Sequence, residues 1–411
     1  MESSQPTIKE GYKQTDVGII PEDWEVKPLK KISPRQSVGL VINPSSYYDD
    51  DGTVPLLVGS NITENKIDWE SAQRISEASN RLIAASRLEA GDLVTVRVGE
   101  PGITAVVPPE LDGCNCASMM IVRQHPSFHS HWLCHVMNSR IGLAQVEHVQ
   151  YGTAQKQFNI SDAVNFSYPV PPLPEQQAIA EVLGDVDALI TSLDQLITKK
   201  RNIKQGTMQL LLTGKKRLAG FSSDWKVIML GERLRFQVGY PFSSEFFNQK
   251  DSGIRLVKNR DLKNDDQVFF YSGEYSRDYL IDDDDVLIGM DGDFLPCLWK
   301  KGTALLNQRV GRIIVLDKMD LGFTYYCLIK PLKEIEYGTA STTVKHLSHS
   351  DIEEIRMAIP ELSEQKAIAR ILGDMDAEIQ ALEKKREKYK GIKQGMMQEL
   401  LTGKMRLVSK S

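Results

Sequence analysis

Residues 175–218 read EQQAIAEVLGDVDALITSLDQLITKKRNIKQGTMQLLLTGKKRL, and residues 364–407 read EQKAIARILGDMDAEIQALEKKREKYKGIKQGMMQELLTGKMRL. The two segments align without a gap at an offset of 189 residues, and more than half of their positions are identical. A self-similarity of this length indicates an internal duplication, so the chain contains two copies of one unit.

Each repeated segment is predicted to form one long helix. Pro174 stands at the start, where the missing N–H of proline costs nothing, and Gly214 and Gly403 follow the last turn. Apolar residues of the first copy recur at spacings of three and four, typical of a coiled-coil seam: Ile179, Val182, Val186, Leu189, Leu193, Leu196, Ile203 and Leu210, with Ile190 and Ile197 widening the stripe. A helix of about 37 residues is about 55 Å long. Because a whole domain connects the copies, we expect the two helices to pair antiparallel.

Glycines recur within both helices. Gly184 and Gly206 are 22 residues apart, close to six turns, and Gly373 and Gly395 repeat this spacing. Antiparallel pairing would bring Gly184 near Gly395 and Gly206 near Gly373, so we expect these glycines to allow close helix pairing. Such a contact would offset the cost of about 1 kcal/mol that each interior glycine carries. The alternative is that they are neutral residues that the helix tolerates.

Mixed, strand-rich sequence precedes each helix. Short apolar runs broken by glycine and proline, such as Val54–Val58, Leu93–Val98 and Ile254–Val257, predict curved β structure. One shorter helix is expected in each region, over Ser130–Val149 and Leu321–Tyr337. The fold class is therefore α+β, with two β-rich domains, two long antiparallel helices and an internal pseudo-two-fold repeat. The predicted boundaries are 1–173 and 219–362 for the β-rich domains, and 174–218 and 363–411 for the helices.

Short echoes indicate that the duplication includes the β-rich regions. Asp23-Trp24-Glu25-Val26 is matched by Asp224-Trp225-Lys226-Val227. The run Tyr151-Gly-Thr-Ala154 is matched by Tyr337-Gly-Thr-Ala340, in each copy before the long helix.

Composition sets limits on the function classes. The chain is 41% hydrophobic, has no apolar run of membrane-spanning length and begins without a signal-peptide pattern. Its five cysteines are scattered, so we expect a reducing cytoplasm. The net charge of −5 argues against binding nucleic acid by bulk charge alone, and leaves room for a local basic cleft.

The sequence contains no familiar catalytic or cofactor motif. Gly214-Lys215-Lys216 is not a phosphate-binding loop, and Asn43-Pro44-Ser45-Ser46 is not an amino-methyltransferase motif. We therefore expect no catalytic residue and no cofactor on this chain. One cluster of cysteines and histidines has the residue types of a metal site: Cys114, Cys116, His125, His129, His131, Cys134 and His135. The Cys-x-Cys spacing is unlike a zinc knuckle and the second copy has nothing comparable, so we expect no metal.

Several of these motifs together carry a family resemblance. The run 172–180, PLPEQQAIA, ending in QLLLTG at 209–214, resembles the conserved region of type I restriction–modification specificity subunits, the S or HsdS proteins. The second copy, from Glu364-Gln365 to Leu400-Leu401-Thr402-Gly403, is similar. So are 18–24, GIIPEDW, and 91–94 with 98–102, which match the family's target recognition domain. The resemblance covers essentially the whole chain in the family's order.

The resemblance implies a non-catalytic subunit that reads double-stranded DNA. Two target recognition domains would each read one half of an asymmetric bipartite site, and the helices would set the half-site spacing. The helices would also dock the methyltransferase (M) subunits, expected to be two, with restriction/translocase (R) subunits completing the complex. S-adenosylmethionine, ATP and Mg²⁺ are expected on those partner subunits, and no membrane is involved.

The best candidates for DNA contact are polar side chains in loops. Arg reads guanine, Asn and Gln read adenine, Ser and Thr read either, and Lys or Arg hold phosphates. In the first domain the candidates are Ser60, Asn61, Arg97, Thr153, Gln155, Lys156 and Gln157. In the second they are Lys258, Asn259, Arg260, Arg309, Thr339, Ser341, Thr342, Thr343 and Lys345. The alternative for each is an ordinary surface turn.

Repeated aspartates near the helix starts are candidates for partner docking: Asp185, Asp187, Asp374 and Asp376. Two other functions stay open at this point. The chain could be a coiled-coil scaffold that binds protein alone, or a methyltransferase or nuclease in its own right. A sequence-preferring, salt-sensitive DNA complex distinguishes the first of these from a specificity subunit, and S-adenosylmethionine binding by the isolated chain would favour the second.

Overall fold

The computed structural model describes residues 8–152, 155–338 and 346–407, which form two compact units. Unit 1 comprises Met1–Asp194 and Lys385–Ser411, and unit 2 comprises Gln195–Lys384. Each unit therefore contains one β-rich region and a part of both repeated segments. The first β-rich region is residues 8–172, and the second is residues 219–361.

The first β-rich region consists of short strands joined by turns and small helices. Its strands are β1 (Tyr12–Thr15), β2 (Gly18–Pro21), β3 (Glu25–Pro28), β4 (Gln36–Val38), β5 (Val54–Leu57), β6 (Ile62–Thr63), β7 (Lys66–Ile67), β8 (Gln73–Ile75), β9 (Leu93–Val96), β10 (Thr104–Val106), β11 (Asn115–Cys116), β12 (Met119–Val122) and β13 (Ser167–Val170). Its α-helices are α1 (Leu29–Ile32), α2 (Glu77–Leu82), α3 (Ser130–Asn138), α4 (Arg140–Val149) and α5 (Ile160–Ala163). Short 3-10 helices lie at Pro44–Tyr47, Gly59–Asn61, Ala84–Ser86 and Pro109–Leu111.

The strands of this region form small sheets. One has the order β10–β9–β12–β4 and is antiparallel throughout; another has the order β11–β5–β8, in which β5 and β11 are parallel. Strand β13 pairs with β3, which fixes the chain just before the first long helix. The predicted helix over Ser130–Val149 is two helices, because Ser139 has extended backbone and its hydroxyl accepts a hydrogen bond from Ile141 N.

The second β-rich region repeats this arrangement. Its strands are β14 (Lys226–Met229), β15 (Leu234–Val238), β16 (Phe247–Asn248), β17 (Ile254–Val257), β18 (Phe269–Tyr271), β19 (Leu280–Ile281), β20 (Val286–Gly289), β21 (Pro296–Leu298), β22 (Ala304–Leu306), β23 (Val310–Val315) and β24 (Arg356–Ile359). Short 3-10 helices lie at Leu230–Glu232, Ser244–Phe246, Asn259–Leu262 and Arg277–Tyr279. The sheet orders are β15–β23–β20–β21 and β16–β18–β17–β22–β19, and β14 pairs with β24 as β3 pairs with β13.

Two long helices occupy the repeated segments, as predicted. They are α6 (Leu173–Leu211) and α9 (Leu362–Leu400), preceded in the second region by α7 (Leu321–Gly338) and α8 (His349–Glu353). Gly214 and Gly403, just beyond the last turns, have φ of +68° and +70°. This left-handed conformation favours glycine, and it explains why both helices end in the same Thr-Gly pair. In the described part of the chain, no helix is both long and apolar enough to span a bilayer.

The helices run antiparallel, which confirms the prediction. Ion pairs join α6 to α9 within each unit: Asp187–Lys393 and Asp194–Arg386 in unit 1, and Lys200–Glu378 and Lys204–Asp376 in unit 2. In both units the residue number rises along α6 while it falls along α9, so the helix directions are opposed.

The buried stripe of α6 differs from the predicted seam. The buried residues include Ile179, Leu183, Ile190, Leu193 and Ile197, none more than 7% exposed. Leu196, Ile203 and Leu210, which were predicted in the seam, are 37%, 46% and 43% exposed. Ile179, Leu193, Ile190 and Ile197 are buried as predicted. The prediction is wrong for Leu196, Ile203 and Leu210, because two apolar series with seven-residue spacing lie one position apart on this helix. Adjacent positions are about 100° apart around a helix, so only one series faces the core.

The helix-pairing role expected for the repeated glycines is also wrong. Gly184, Gly206 and Gly395 are exposed, and a Cβ added at any of them would meet no atom within 4 Å. At Gly373 a Cβ would be 3.9 Å from the Tyr326 hydroxyl. The backbones therefore make no close approach at these positions, which lie off the buried stripe.

The repeated tryptophans join each β-rich region to a helix start. Trp24 is fully buried, and its indole Nε1 donates to Glu175 Oε2 at 3.0 Å. In unit 2 the indole Nε1 of Trp225 donates to Glu364 Oε2 at 3.2 Å. The two matching Asp-Trp motifs thus make the same hydrogen bond from tryptophan to glutamate, once in each unit.

Candidate nucleic-acid interface

The loop after α4 is closed by backbone hydrogen bonds. Tyr151 N donates to Gln157 O and Gln157 N donates to Tyr151 O, both at 2.9 Å. Gly152 has φ of +100°, and a Cβ there would lie 2.3 Å from Gln155 O, so the turn requires glycine. Gln155 and Lys156 are exposed on this turn, and Gln157 is half-buried.

A second segment, which follows β9, packs beside this loop. Gly99 N donates to Lys156 O at 3.0 Å, and Val98 forms a bridge with Gln157. Arg97 is half-buried and its Nε donates to Phe158 O at 3.4 Å. The structure therefore brings Arg97 together with the predicted Gln155–Gln157 loop.

The turn at Gly59–Asn61 adjoins the same surface, because a Cβ on Gly59 would lie 3.7 Å from Val98 O. Ser60 is exposed there, as a contact residue must be. Asn61 is 4% exposed; its Oδ1 accepts from Val58 N at 2.9 Å and its Nδ2 donates to Ser71 Oγ at 3.3 Å. The prediction that Asn61 contacts DNA is therefore wrong, since both ends of its amide hold the turn.

Unit 2 contains the equivalent arrangement. Asp291 forms a bridge with His346, as Val98 does with Gln157, and Leu347 N donates to Met290 O at 2.8 Å. Met290 N in turn donates to Arg309 O at 3.0 Å, so Arg309 lies beside the end of the predicted loop.

Asp291 is the centre of this second cluster. Its Oδ1 lies 3.3 Å from Arg309 Nη1 and 3.0 Å from His346 Nδ1. Its carbonyl oxygen accepts from Asn259 Nδ2 at 2.6 Å. The predicted candidates Asn259 and Arg309 thus share one surface, and the Arg309 side chain remains 54% exposed. Asp291 was not predicted, because no motif surrounds it in the sequence. The one signal that could have identified it is its position just after β20, which is equivalent to that of Val98 after β9.

Lys258 and Arg260 have different environments. The Lys258 ammonium lies 3.3 Å from the centroid of the Phe269 ring, and burial, followed by the neighbouring Arg260 guanidinium, lowers the pKa of Lys258. The Arg260 side chain is 46% exposed. Asp261 accepts from Lys258 N at 2.8 Å and holds this turn as Asn61 holds the first. Arg260 is therefore the more available of the two cations.

Some candidates lie outside the described residues: Thr153, Thr339, Ser341, Thr342, Thr343 and Lys345. Their DNA-contact role stays a prediction. The described residues Gly152 and Gln155, which flank the first gap, and His346, which follows the second, belong to the clusters just described.

The aspartates predicted to dock partners divide into two classes. Asp187 and Asp376 form ion pairs with Lys393 and Lys204, so they pair the helices, and their role in docking partners stays a prediction. They serve helix pairing because their carboxylates meet the opposite helix. Asp185 and Asp374 are exposed, and their docking role stays a prediction.

The cysteine and histidine cluster belongs to the fold. Cys134 is buried and its thiol donates to Thr104 O at 3.3 Å, and burial raises the pKa of Cys114 to about 12. His135 is 3% exposed, and burial lowers its pKa to about 3. Among the described residues, no three His, Cys, Asp or Glu side chains are arranged to hold a metal ion.

Comparison with known proteins identifies the architecture. The model of the type I restriction modification DNA specificity domain matches residues 21–204 and 222–390. The chain is 28% identical to a putative type I restriction enzyme MjaX specificity subunit of Methanocaldococcus jannaschii, with 97% of each chain covered. It is 32% identical to the type I restriction enzyme EcoBI specificity subunit of Escherichia coli, over 46% of this chain and 41% of that one.

Solved structures agree on the fold. The crystal structure of a type I restriction–modification system S subunit from M. genitalium superposes with a TM-score of 0.61 at 15% identity, covering 92% of this chain and 96% of that chain. A chain from a structure concerning complex assembly and conformational transition of the type I R-M system gives 0.52 at 18% identity, covering 94% and 99%. The two matched segments coincide with the two halves of the duplication, and the chain belongs to the type I restriction–modification DNA specificity family.

Proposed function

We propose that this chain is the non-catalytic DNA-sequence-specificity subunit of a type I restriction–modification complex. Each β-rich region reads one half of an asymmetric bipartite site. The observation that carries the proposal is the loop surface that occurs once in each unit, with the same backbone bridges and different exposed side chains.

The difference between the two surfaces supports unequal half-sites. The first presents Gln155, Lys156 and Ser60, and the second presents Arg309 and Arg260. Glutamine suits adenine, and arginine suits guanine or a phosphate. Because the supporting strands are equivalent while these side chains differ, the two regions read different sequences from one scaffold.

The positive charge available for binding DNA lies at a few exposed residues and not in the net charge of the chain. The chain has a net charge of −5, yet Lys156, Arg260 and Arg309 are exposed on the candidate surfaces. Exposed cations at these turns place positive charge where a phosphate backbone would pass. The remaining phosphate contacts are left to partner subunits.

The helices supply the spacing and the docking surface in this proposal. Leu196, Ile203 and Leu210 form an exposed apolar stripe on α6, and such stripes typically mark a protein interface. We propose that this stripe, with Asp185 and Asp374, docks methyltransferase subunits, expected to be two. Restriction/translocase subunits would complete the complex, with S-adenosylmethionine, ATP and Mg²⁺ on the partners and the cytoplasm as its location.

A competition gel shift tests the proposal. The chain is purified with its methyltransferase partner and bound to labelled genomic fragments at two salt concentrations. We expect one bipartite sequence to compete at least about a thousandfold better than unrelated DNA, with affinity that falls steeply with salt. Equal competition by all sequences, or no DNA complex, would contradict it and favour a scaffold that binds protein alone.

A further inference from the structure

Lys393 of α9 is a buried lysine with two carboxylate partners. Its side chain is 10% exposed, and lysine is rarely buried unless it is paired. Its Nζ lies 2.8 Å from Asp187 Oδ1 of α6 and 2.9 Å from Glu64 Oε1. Glu64 belongs to the turn between β6 and β7, so one ammonium joins both long helices to the first β-rich region.

The neighbouring Asn65 extends this junction into the β-rich region. Its Nδ2 donates to Asp187 Oδ2 at 3.3 Å, and its Oδ1 accepts from Asn138 Nδ2 of α3 at 2.9 Å. Asn138 also bonds both the N–H and the carbonyl of Thr104 in β10, at 2.9 and 2.8 Å. The turn at Glu64-Asn65 is therefore connected to the helix pair on one side and to a sheet and a helix of the region on the other.

The duplicated position in unit 2 uses a different chemistry. Lys204 and Asp376 are the residues equivalent to Lys393 and Asp187, and they also form an ion pair. The third partner is Tyr326 of α7, whose hydroxyl donates to Asp376 Oδ2 at 2.7 Å. The Lys204 ammonium lies 5.3 Å from the Tyr326 ring centroid. In unit 2 a phenol thus donates to the aspartate of the ion pair, whereas in unit 1 the Glu64 carboxylate contacts the lysine and Asn65 donates to the aspartate.

The third partner is not needed to pair the helices. Each helix–helix ion pair is complete with its lysine and aspartate, and a lysine ammonium has donors to spare. The Glu64 side chain is 48% exposed, and a pair at such a site contributes little to global stability. Glu64 and Tyr326 each add a side-chain contact that joins a β-rich region to the long helices of the same unit.

We propose that Glu64–Lys393 and Tyr326–Asp376 are positioning contacts that hold each β-rich region in one orientation on the helix pair, and so narrow the range of half-site spacings that the chain accepts. This inference rests on the proposed function. Glu64 and Tyr326 touch no DNA in it; they act through the region that they orient.

The test uses Glu64→Ala and Tyr326→Phe in the full chain with its methyltransferase partner. Affinity is measured for duplexes whose spacer is optimal, or one base pair shorter or longer. We expect affinity for the optimal duplex to stay within about twofold of the wild type, because no base contact is lost. Discrimination against wrong spacers should fall about fivefold, which is the factor in affinity expected from the loss of one surface ion pair. The matched control is Glu70→Ala, which removes the same charge from an exposed position in the same β-rich region.

A second readout reports on the contact without DNA. Hydrogen exchange of the free chain should be faster over residues 62–67 in Glu64→Ala than in the wild type or Glu70→Ala. Wild-type spacer discrimination in both variants, with unchanged exchange, would overturn this inference and leave the proposed function standing. A wild-type complex that prefers no bipartite site would contradict the proposed function itself, and this inference with it.

Discussion

Arg406, which follows the end of α9, forms a bidentate ion pair with Glu175 in the first turn of α6. Its Nε and Nη2 donate to the two carboxylate oxygens at 2.6 and 2.8 Å, and Glu175 is fully buried. The hydrogen bonds that Arg406 donates to Glu175 and then to Asp23 raise its pKa. In unit 2, Arg217 holds Glu364 in the same way, at 2.8 and 2.7 Å. The segment after each long helix thus forms an ion pair with the first turn of the other long helix.

Removing this arginine should destabilise unit 1. In Arg406→Met, the buried Glu175 keeps the hydrogen bond from the Trp24 indole but loses the positive charge that Arg406 supplies. This loss should lower the free energy of unfolding by about 3 kcal/mol. Lys404→Met is the control, because Lys404 is exposed and its carboxylate partner is 3.9 Å away; a change below about 0.5 kcal/mol is expected there. Urea unfolding measures both variants, and equal midpoints would contradict the prediction.

Exchanging the side chains of the first loop should change one half-site alone. Gln155, Lys156 and Gln157 are replaced together by alanine, which keeps the backbone hydrogen bonds between Tyr151 and Gln157. Each lost base contact should reduce discrimination by about 1–3 kcal/mol at the half-site that unit 1 reads. Affinity is measured for duplexes mutated in one half or the other.

The matched variant for that experiment is Arg309→Ala in unit 2, which should affect the other half-site. Arg277→Ala, an exposed arginine of the same unit, controls for the loss of charge. Equal loss of affinity for every sequence would mean that these side chains hold phosphates and do not read bases.

The exposed apolar stripe on α6 should be needed for partner binding and not for folding. Leu196→Gln with Ile203→Gln should weaken methyltransferase binding at least about tenfold, since interface anchors often contribute more than 1 kcal/mol each. The urea midpoint should not fall, because both side chains are already exposed. Lys385→Gln, at the duplicated position on α9, is the control. Unchanged partner affinity in a pull-down titration would remove the stripe from the docking surface.

Burial of His135 predicts loss of stability in mild acid. Burial lowers its pKa to about 3, and the ordinary pKa is 6.5. Between these values the unfolded chain binds a proton at this site that the folded chain does not, so the unfolding free energy decreases as the pH falls below 6.5. The loss from pH 7 to pH 5 should be about 2 kcal/mol. His135→Phe should lose that slope, and identical slopes in unfolding experiments would contradict the assignment.

The long helices and their direction were predictable because they depend on regular spacing and on the duplication. The face that they bury was predictable only in part, since Leu196 and Ile197 belong to competing apolar series and the residues that pack on the helix decide between them. The glycines show the same limit. The spacing, which both copies share, placed Gly184 and Gly206 on one side of the helix. Whether another backbone approaches that side depends on the tertiary structure.

The candidate surface was predicted in part for similar reasons. The Tyr151 loop was found because it occurs twice and is rich in polar side chains. Asn61 was misassigned because a buried cap of a turn and an exposed base-reading amide have the same local sequence. Asp291 was missed because it acts through residues distant in sequence, Asn259, Arg309 and His346, that the sheet brings together.

Methylated bases mapped across a host genome show whether this chain directs methylation to one bipartite site. The chain is expressed with its methyltransferase partner, first as wild type and then with the Gln155–Gln157 loop replaced. We expect methylation at one bipartite motif whose unequal halves are separated by a fixed number of unspecified base pairs, and a change in one half alone in the variant. A contiguous motif, or methylation that is identical without this chain, would contradict it.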